Sequence, residues 1–218
     1  MPLPAELDHL VLAARSLEDG CDAVERVLGV RPAPGGRHPQ WGTHNALLSL
    51  GPRRYLEVLA PDPQATDAAA CARGAALFRL DAARPGDPRL TTWMLRAHPI
   101  ARAIDAARAL GIDLGTPQPG SRTRPDGSVL AWELAVPPAP PLGGVLPWAI
   151  DWQGSEHPAA RAPAGCALEW IECSHPHPAQ AQAALAALGC AGVRVQAGPD
   201  PVLRAGIACP RGVVVLSG

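Results

Sequence analysis

The chain contains no lysine; all 19 of its basic residues are arginine. That absence excludes Schiff-base chemistry, a P-loop lysine and a lysine general base. Aromatic residues other than tryptophan are almost missing, with one Phe and one Tyr against six Trp. Neither charge dominates. The formal net charge is -1, which gives no electrostatic reason to expect nucleic acid or an anionic membrane as a partner. The six cysteines, at 21, 71, 166, 173, 190 and 209, include no C-x-x-C pair, so a zinc ribbon or a thioredoxin-like site is not supported. Free thiols in a reducing cytosol are the expectation. MPLPAELDHL has neither a basic n-region nor an apolar h-region, and no apolar run reaches the length of a membrane span, so a cytoplasmic protein is expected. With 26 Pro and 22 Gly, long unbroken helices are not.

What is present is a repeat. LDHLVLA, from Leu7 to Ala13, alternates as a strand does, with Leu7, His9 and Val11 on one side and Asp8, Leu10 and Leu12 on the other. A helix follows from Ser16, a capping residue, to Leu28, and Gly29 ends it. The same strand–helix–Gly unit returns from Leu90 to Gly111 and from Leu168 to Gly189. The strand leucine and the closing glycine are 22, 21 and 21 positions apart in the three copies, and a period near 80 residues marks an internal repeat. Only the first copy has a histidine at the third strand position; the others have Thr92 and Trp170.

Each helix is followed by short strand patterns. After Gly29 come a Gly- and Pro-rich stretch, expected as a loop or irregular edge strand, then strands at 44–50 and 54–60. A connector with a short helix near 68–77 leads to the second copy. Its strands are expected at 90–96, 128–136 and 146–152, with a loop or strand around 121–124 and a Pro125-Asp126-Gly127 hairpin turn. The third copy has strands at 167–173, 193–196, 202–209 and 213–216. Each copy therefore reads β-α-β-β-β.

LDHLVLA at 7–13, GTHNALLSLG at 42–51 with YLEVLAP at 55–61, RTRPDG at 122–127 and LPWAIDW at 146–152 together resemble the vicinal oxygen chelate superfamily, in its glyoxalase-like branch. The resemblance implies an α+β fold of repeated βαβββ modules, two paired plus a third at the C-terminus. The expected domains are 1–155, with modules 5–62 and 89–153, and 165–218. In such proteins paired modules enclose a pocket, and metal ligands sit on the first and last strands of each module. Carried over, those positions are His9 and Glu57 in the first module. The second departs, with Thr92 on its first strand and Ala149 or Ile150 on its last; Asp151 is one place away and so faces the opposite side. His44 is the candidate third ligand, and a His, His, carboxylate set would suit divalent iron, manganese or zinc.

The resemblance implies a small-molecule enzyme of lyase, isomerase or dioxygenase type. His9 and Glu57 are its expected catalytic residues. Without a metal the pair can act as general base and orienter. Asn45, Arg122, Arg124 and Trp148 are the expected substrate contacts, the arginines as anion anchors. The alternative is a non-catalytic protein of the same fold that sequesters a small ligand in a tryptophan-lined pocket. The other expected partner is a second copy of the chain in a two-fold dimer, since a lone third module leaves strand edges uncovered.

Overall fold

The structure, a computed structural model, describes residues 7–82, 86–123 and 128–218. The first module is β1 (Leu7–Ala13), α1 (Leu17–Leu28), β2 (Ala33–His38), β3 (Thr43–Ser49) and β4 (Tyr55–Pro61). After the connecting helix α2 (Ala68–Phe78), the second is β5 (Arg89–Arg96), α3 (Ala101–Arg108), β6 (Thr116–Thr123), β7 (Val129–Val136) and β8 (Trp148–Asp151). The third is β9 (Ala167–His175), α4 (Pro178–Ala187), β10 (Arg194–Ala197), β11 (Val202–Cys209) and β12 (Gly212–Ser217). The fold is α+β with repeated βαβββ modules, as the sequence implied.

The first module runs β2-β3-β4-β1 and the second β5-β8-β7-β6, each with its opening strand parallel to its closing one. The third repeats the element order but not the strand order. It runs β10-β9-β11-β12, with β9 parallel to β10.

Ser16 caps α1 by accepting the Asp19 N–H, and Gly29, Gly111 and Gly189 close the three unit helices with φ of 80°, 72° and 75°. That left-handed conformation costs a residue with a Cβ about 1 kcal/mol, which accounts for the regular spacing of the three glycines. Pro117 and Pro119 lie in β6, an edge strand, where a missing N–H is tolerated. No helix among the described residues is long and apolar enough to cross a membrane.

The chain forms two compact units, one of Met1–Asp8, Thr92–His157 and Trp170–Leu203, the other of His9–Thr91, Pro158–Glu169 and Arg204–Gly218. In the His9–Thr91 unit, α1 packs on the sheet so closely that a Cβ on Gly20 would lie 2.6 Å from Ala14 Cβ and Val58 Cγ1. This helix covers the side bearing Leu10, Leu12, Leu56 and Val58, all buried. Trp41 meets Phe78 of α2 edge-on at 6.2 Å, and the Ser49 N–H donates to the Pro163 carbonyl at 2.9 Å. In the other unit the core is built on Trp93 and Trp148, both fully buried. The Trp93 indole donates to the Val145 carbonyl at 2.9 Å. Each large apolar side chain buried in this way contributes about 1.5–3 kcal/mol.

Candidate active site

Strand register decides which side chains share a face. His9 lies opposite Tyr55 and Val11 opposite Glu57 across β1 and β4; Leu47 lies opposite Glu57 and Asn45 opposite Leu59 across β3 and β4. Alternation then puts His9, Tyr55, Glu57 and Asn45 on one face, the one turned away from α1. His9 Nε2 is 3.6 Å from Glu57 Oε2, and both side chains are buried. The Tyr55 ring stacks on the imidazole at 4.3 Å and 16°. Asn45 Nδ2 donates to Glu57 Oε1 at 2.5 Å, and Asn45 Oδ1 accepts the Gly36 N–H at 2.7 Å.

The seat for Asn45 is made by the Gly- and Pro-rich stretch. It forms edge strand β2, and its register slips between Pro34 and Arg37, as at a β-bulge. Gly36 in that irregularity supplies the N–H, and Gly35 supplies room, since a Cβ there would stand 2.2 Å from Asn45 Oδ1. The same strand brings in His38, which sequence reasoning missed. Its Nε2 is 3.5 Å from Asn45 Nδ2 and its Nδ1 is 3.2 Å from Thr43 Oγ1. Paired glycines inside a strand-like pattern were the available signal.

The structure brings His9, Glu57 and Asn45 together and leaves His44 apart. His44 lies opposite Ala60, one residue out of phase with Asn45, so it points to the other face; this corrects its expected place beside His9 and Glu57. Burial lowers its pKa, with Arg37 acting the same way and Asp62 opposing. Asp62 is gripped by Arg37 Nε at 2.6 Å and by the Gln64 N–H at 2.9 Å. Burial pushes its carboxyl up, but these partners outweigh burial and hold it below the ordinary carboxylate value.

Arg122 and Trp148 belong to the other unit. Arg122 is half-buried in β6, opposite Leu130. Trp148, expected as a substrate contact, is fully buried among the core residues of this unit. Arg124 lies outside the described residues. Asp151 faces away from Ile150 and pairs with His98 Nδ1 at 2.8 Å. This unit also holds a network that the sequence did not disclose. Asp8 is fully buried, and its Oδ2 accepts from Trp152 Nε1 at 3.0 Å and Arg96 Nη1 at 3.2 Å, with His157 Nε2 at 3.1 Å.

The donors fit a metal poorly. His9 and Glu57 are a pair, and His38 on the same face is turned to Asn45 and Thr43, whereas a catalytic centre usually keeps three converging protein ligands. Asn45 Oδ1 is already engaged by Gly36. Among the described residues no group of three or more His, Cys, Asp and Glu side chains is arranged to hold an ion. What the pair can do is proton transfer, with the carboxylate orienting the imidazole and balancing its charge.

Comparison with known proteins follows this geometry. Residues 7–189 match the family described as a glyoxalase-like domain. No curated protein matches the chain. Among solved structures, a hypothetical protein from Staphylococcus aureus aligns with a TM-score of 0.62 at 13% identity, over 97% of this chain and 84% of that one; this likeness is one of fold. Methylmalonyl-CoA epimerase from Mycobacterium tuberculosis aligns at 0.40 and 16% identity, over 69% of this chain and 89% of that one. A Streptomyces coelicolor methylmalonyl-CoA epimerase in complex with 2-nitronate-propionyl-CoA aligns at 0.41 and 19%, over 72% and 100%.

Proposed function

Since the chain belongs to the glyoxalase-like domain family, we propose that it is a small-molecule enzyme of lyase or isomerase type in which His9 moves a proton. The observation that carries this reading is the buried His9–Glu57 pair, held from behind by Asn45. His9 accepts a proton from the substrate and later returns one. Glu57 fixes the ring and stabilises the imidazolium, Tyr55 fixes the ring plane, and Asn45 fixes Glu57. With no group of three or more His, Cys, Asp and Glu side chains arranged to hold an ion among the described residues, no step is routed through divalent iron, manganese or zinc, and the dioxygenase variant is set aside. The net charge of -1 favours a small molecule over nucleic acid. A cytoplasmic homodimer completes the proposal.

A second reading, sequestration of a small ligand, is favoured by one feature. Trp132 is half-buried, lies against Gly120, where a Cβ would meet its indole at 2.4 Å, and is backed by Trp152 at 6.0 Å.

The two are separated by screening carbonyl compounds for turnover and for wash-in of solvent deuterium, with metal content measured on protein purified without chelator. His9→Gln is expected to lose about 10²–10⁴-fold. Turnover unchanged in that variant overturns the first reading. Saturable quenching of tryptophan fluorescence by compounds that are never turned over supports the second.

A further inference from the structure

We infer that His38 is a positioning residue of the His9–Glu57 site, a neutral ring protonated on Nδ1 that holds Asn45 in the orientation in which it donates to Glu57. The inference rests on the proton-transfer reading for its functional weight and on hydrogen-bond logic for its content. The Gly36 N–H is a donor, so the Asn45 atom it meets at 2.7 Å is the oxygen. That places the Asn45 nitrogen toward Glu57 Oε1, at 2.5 Å, and toward His38 Nε2, at 3.5 Å. An amide nitrogen has two hydrogens and accepts nothing. Both neighbours must therefore accept, and His38 Nε2 is unprotonated. A neutral imidazole then carries its hydrogen on Nδ1. Thr43 Oγ1 lies 3.2 Å from that atom, is buried, and serves as acceptor.

The alternative charge state conflicts with this arrangement. An imidazolium would aim an Nε2 hydrogen at the hydrogens of Asn45. Relief by turning the amide over would bring nitrogen against the Gly36 N–H and oxygen against the Glu57 carboxylate. His38 thus selects one of the two amide orientations and, through it, the carboxylate that faces His9. A glutamine at 38 can offer its oxygen near the place of Nε2, whereas alanine offers nothing.

The test is nuclear magnetic resonance on the ¹⁵N-labelled chain at neutral pH. Long-range proton–nitrogen spectra of the histidine rings are expected to show His38 as the Nδ1–H tautomer. Of the two Asn45 side-chain amide protons, the one facing His38 is expected to keep its downfield shift in His38→Gln and to move upfield in His38→Ala. An imidazolium or an Nε2–H tautomer at His38 overturns the inference, as do Asn45 signals unchanged by His38→Ala. Neither readout uses turnover, so failure here is distinct from failure of the proton-transfer reading, which His9→Gln reports. Where a substrate is in hand, His38→Ala lowers kcat about tenfold with KM little changed, and His38→Gln restores it.

Discussion

Gly35→Ala is a one-methyl perturbation aimed at the seat of Asn45. Gly35 is not among the glycines with left-handed φ, so alanine suits its backbone and the effect is steric. The new Cβ would stand 2.2 Å from Asn45 Oδ1, 3.1 Å from Asn45 Cγ and 3.1 Å from Leu47 Cγ. The oxygen must retreat by about 1 Å to reach an ordinary contact distance. A retreat of that size breaks the bond from the Gly36 N–H, about 1 kcal/mol, and misaligns the charge-assisted bond to Glu57, about 1.5–3 kcal/mol. Movement of Asn45 relieves much of the overpacking, so these terms do not simply add, and the expected total is about 2–4 kcal/mol. The assay is urea unfolding of the wild type, Gly35→Ala, Asn45→Ala and the double variant. If the oxygen is what the methyl strikes, Gly35→Ala costs no more than about 0.5 kcal/mol once Asn45 is already alanine. Equal cost in both backgrounds, or a single variant as stable as the wild type, refutes the reasoning.

Three further outcomes are expected. Asp8→Asn leaves Arg96 buried without its carboxylate and should cost about 3–5 kcal/mol, read from denaturant midpoints. His44 titrates below its ordinary 6.5 in the fold because of burial, so the unfolded chain takes up the proton first. Stability therefore falls as pH drops below about 6.5, and levels only below the folded pKa; urea midpoints across that range should be flatter in His44→Gln. Burial pushes the thiols of Cys21 and Cys166 up to about 11 and that of Cys190 up to about 12. Labelling of the native chain at pH 8, followed by peptide mapping, should leave these three unmodified, while denaturant exposes all six cysteines.

Features governed by local rules could be read from the sequence. The strand alternation of LDHLVLA, the Ser16 cap and the three closing glycines each depend on a few neighbouring residues, and the structure has all of them. The helix expected at 68–77 spans Ala68–Phe78, with Asp67 accepting from the Ala69 and Ala70 N–H groups. His9 and Glu57 could be named because family resemblance fixed both strand positions. His44 failed by a single residue of phase, which is enough to reverse a strand's faces. His38 was hidden because a register slip, invisible without the partner strand, turns a Gly–Pro stretch into a paired edge. Asp8 stood in the opening strand with nothing to mark it, since its partners lie 88, 144 and 149 residues away. The repeat itself reported only strand, helix and glycine, so it could not foresee that the third module orders its strands differently. Trp148 followed composition: with one Phe and one Tyr in the chain, tryptophan fills the interior.

The amide of Asn45 has a consequence for the fate of hydrogen. A hydroxyl or imidazole in its place could take a proton on one side and release it on the other; a primary amide that donates to both neighbours cannot. It is an insulator set between the half-exposed His38 and the buried Glu57. A hydrogen that His9 removes from a substrate therefore has no exit to water along this line. It can go back to the molecule from which it came, and the extent of solvent-deuterium wash-in per turnover then measures how often the ring exchanges on its other side, past the bound substrate.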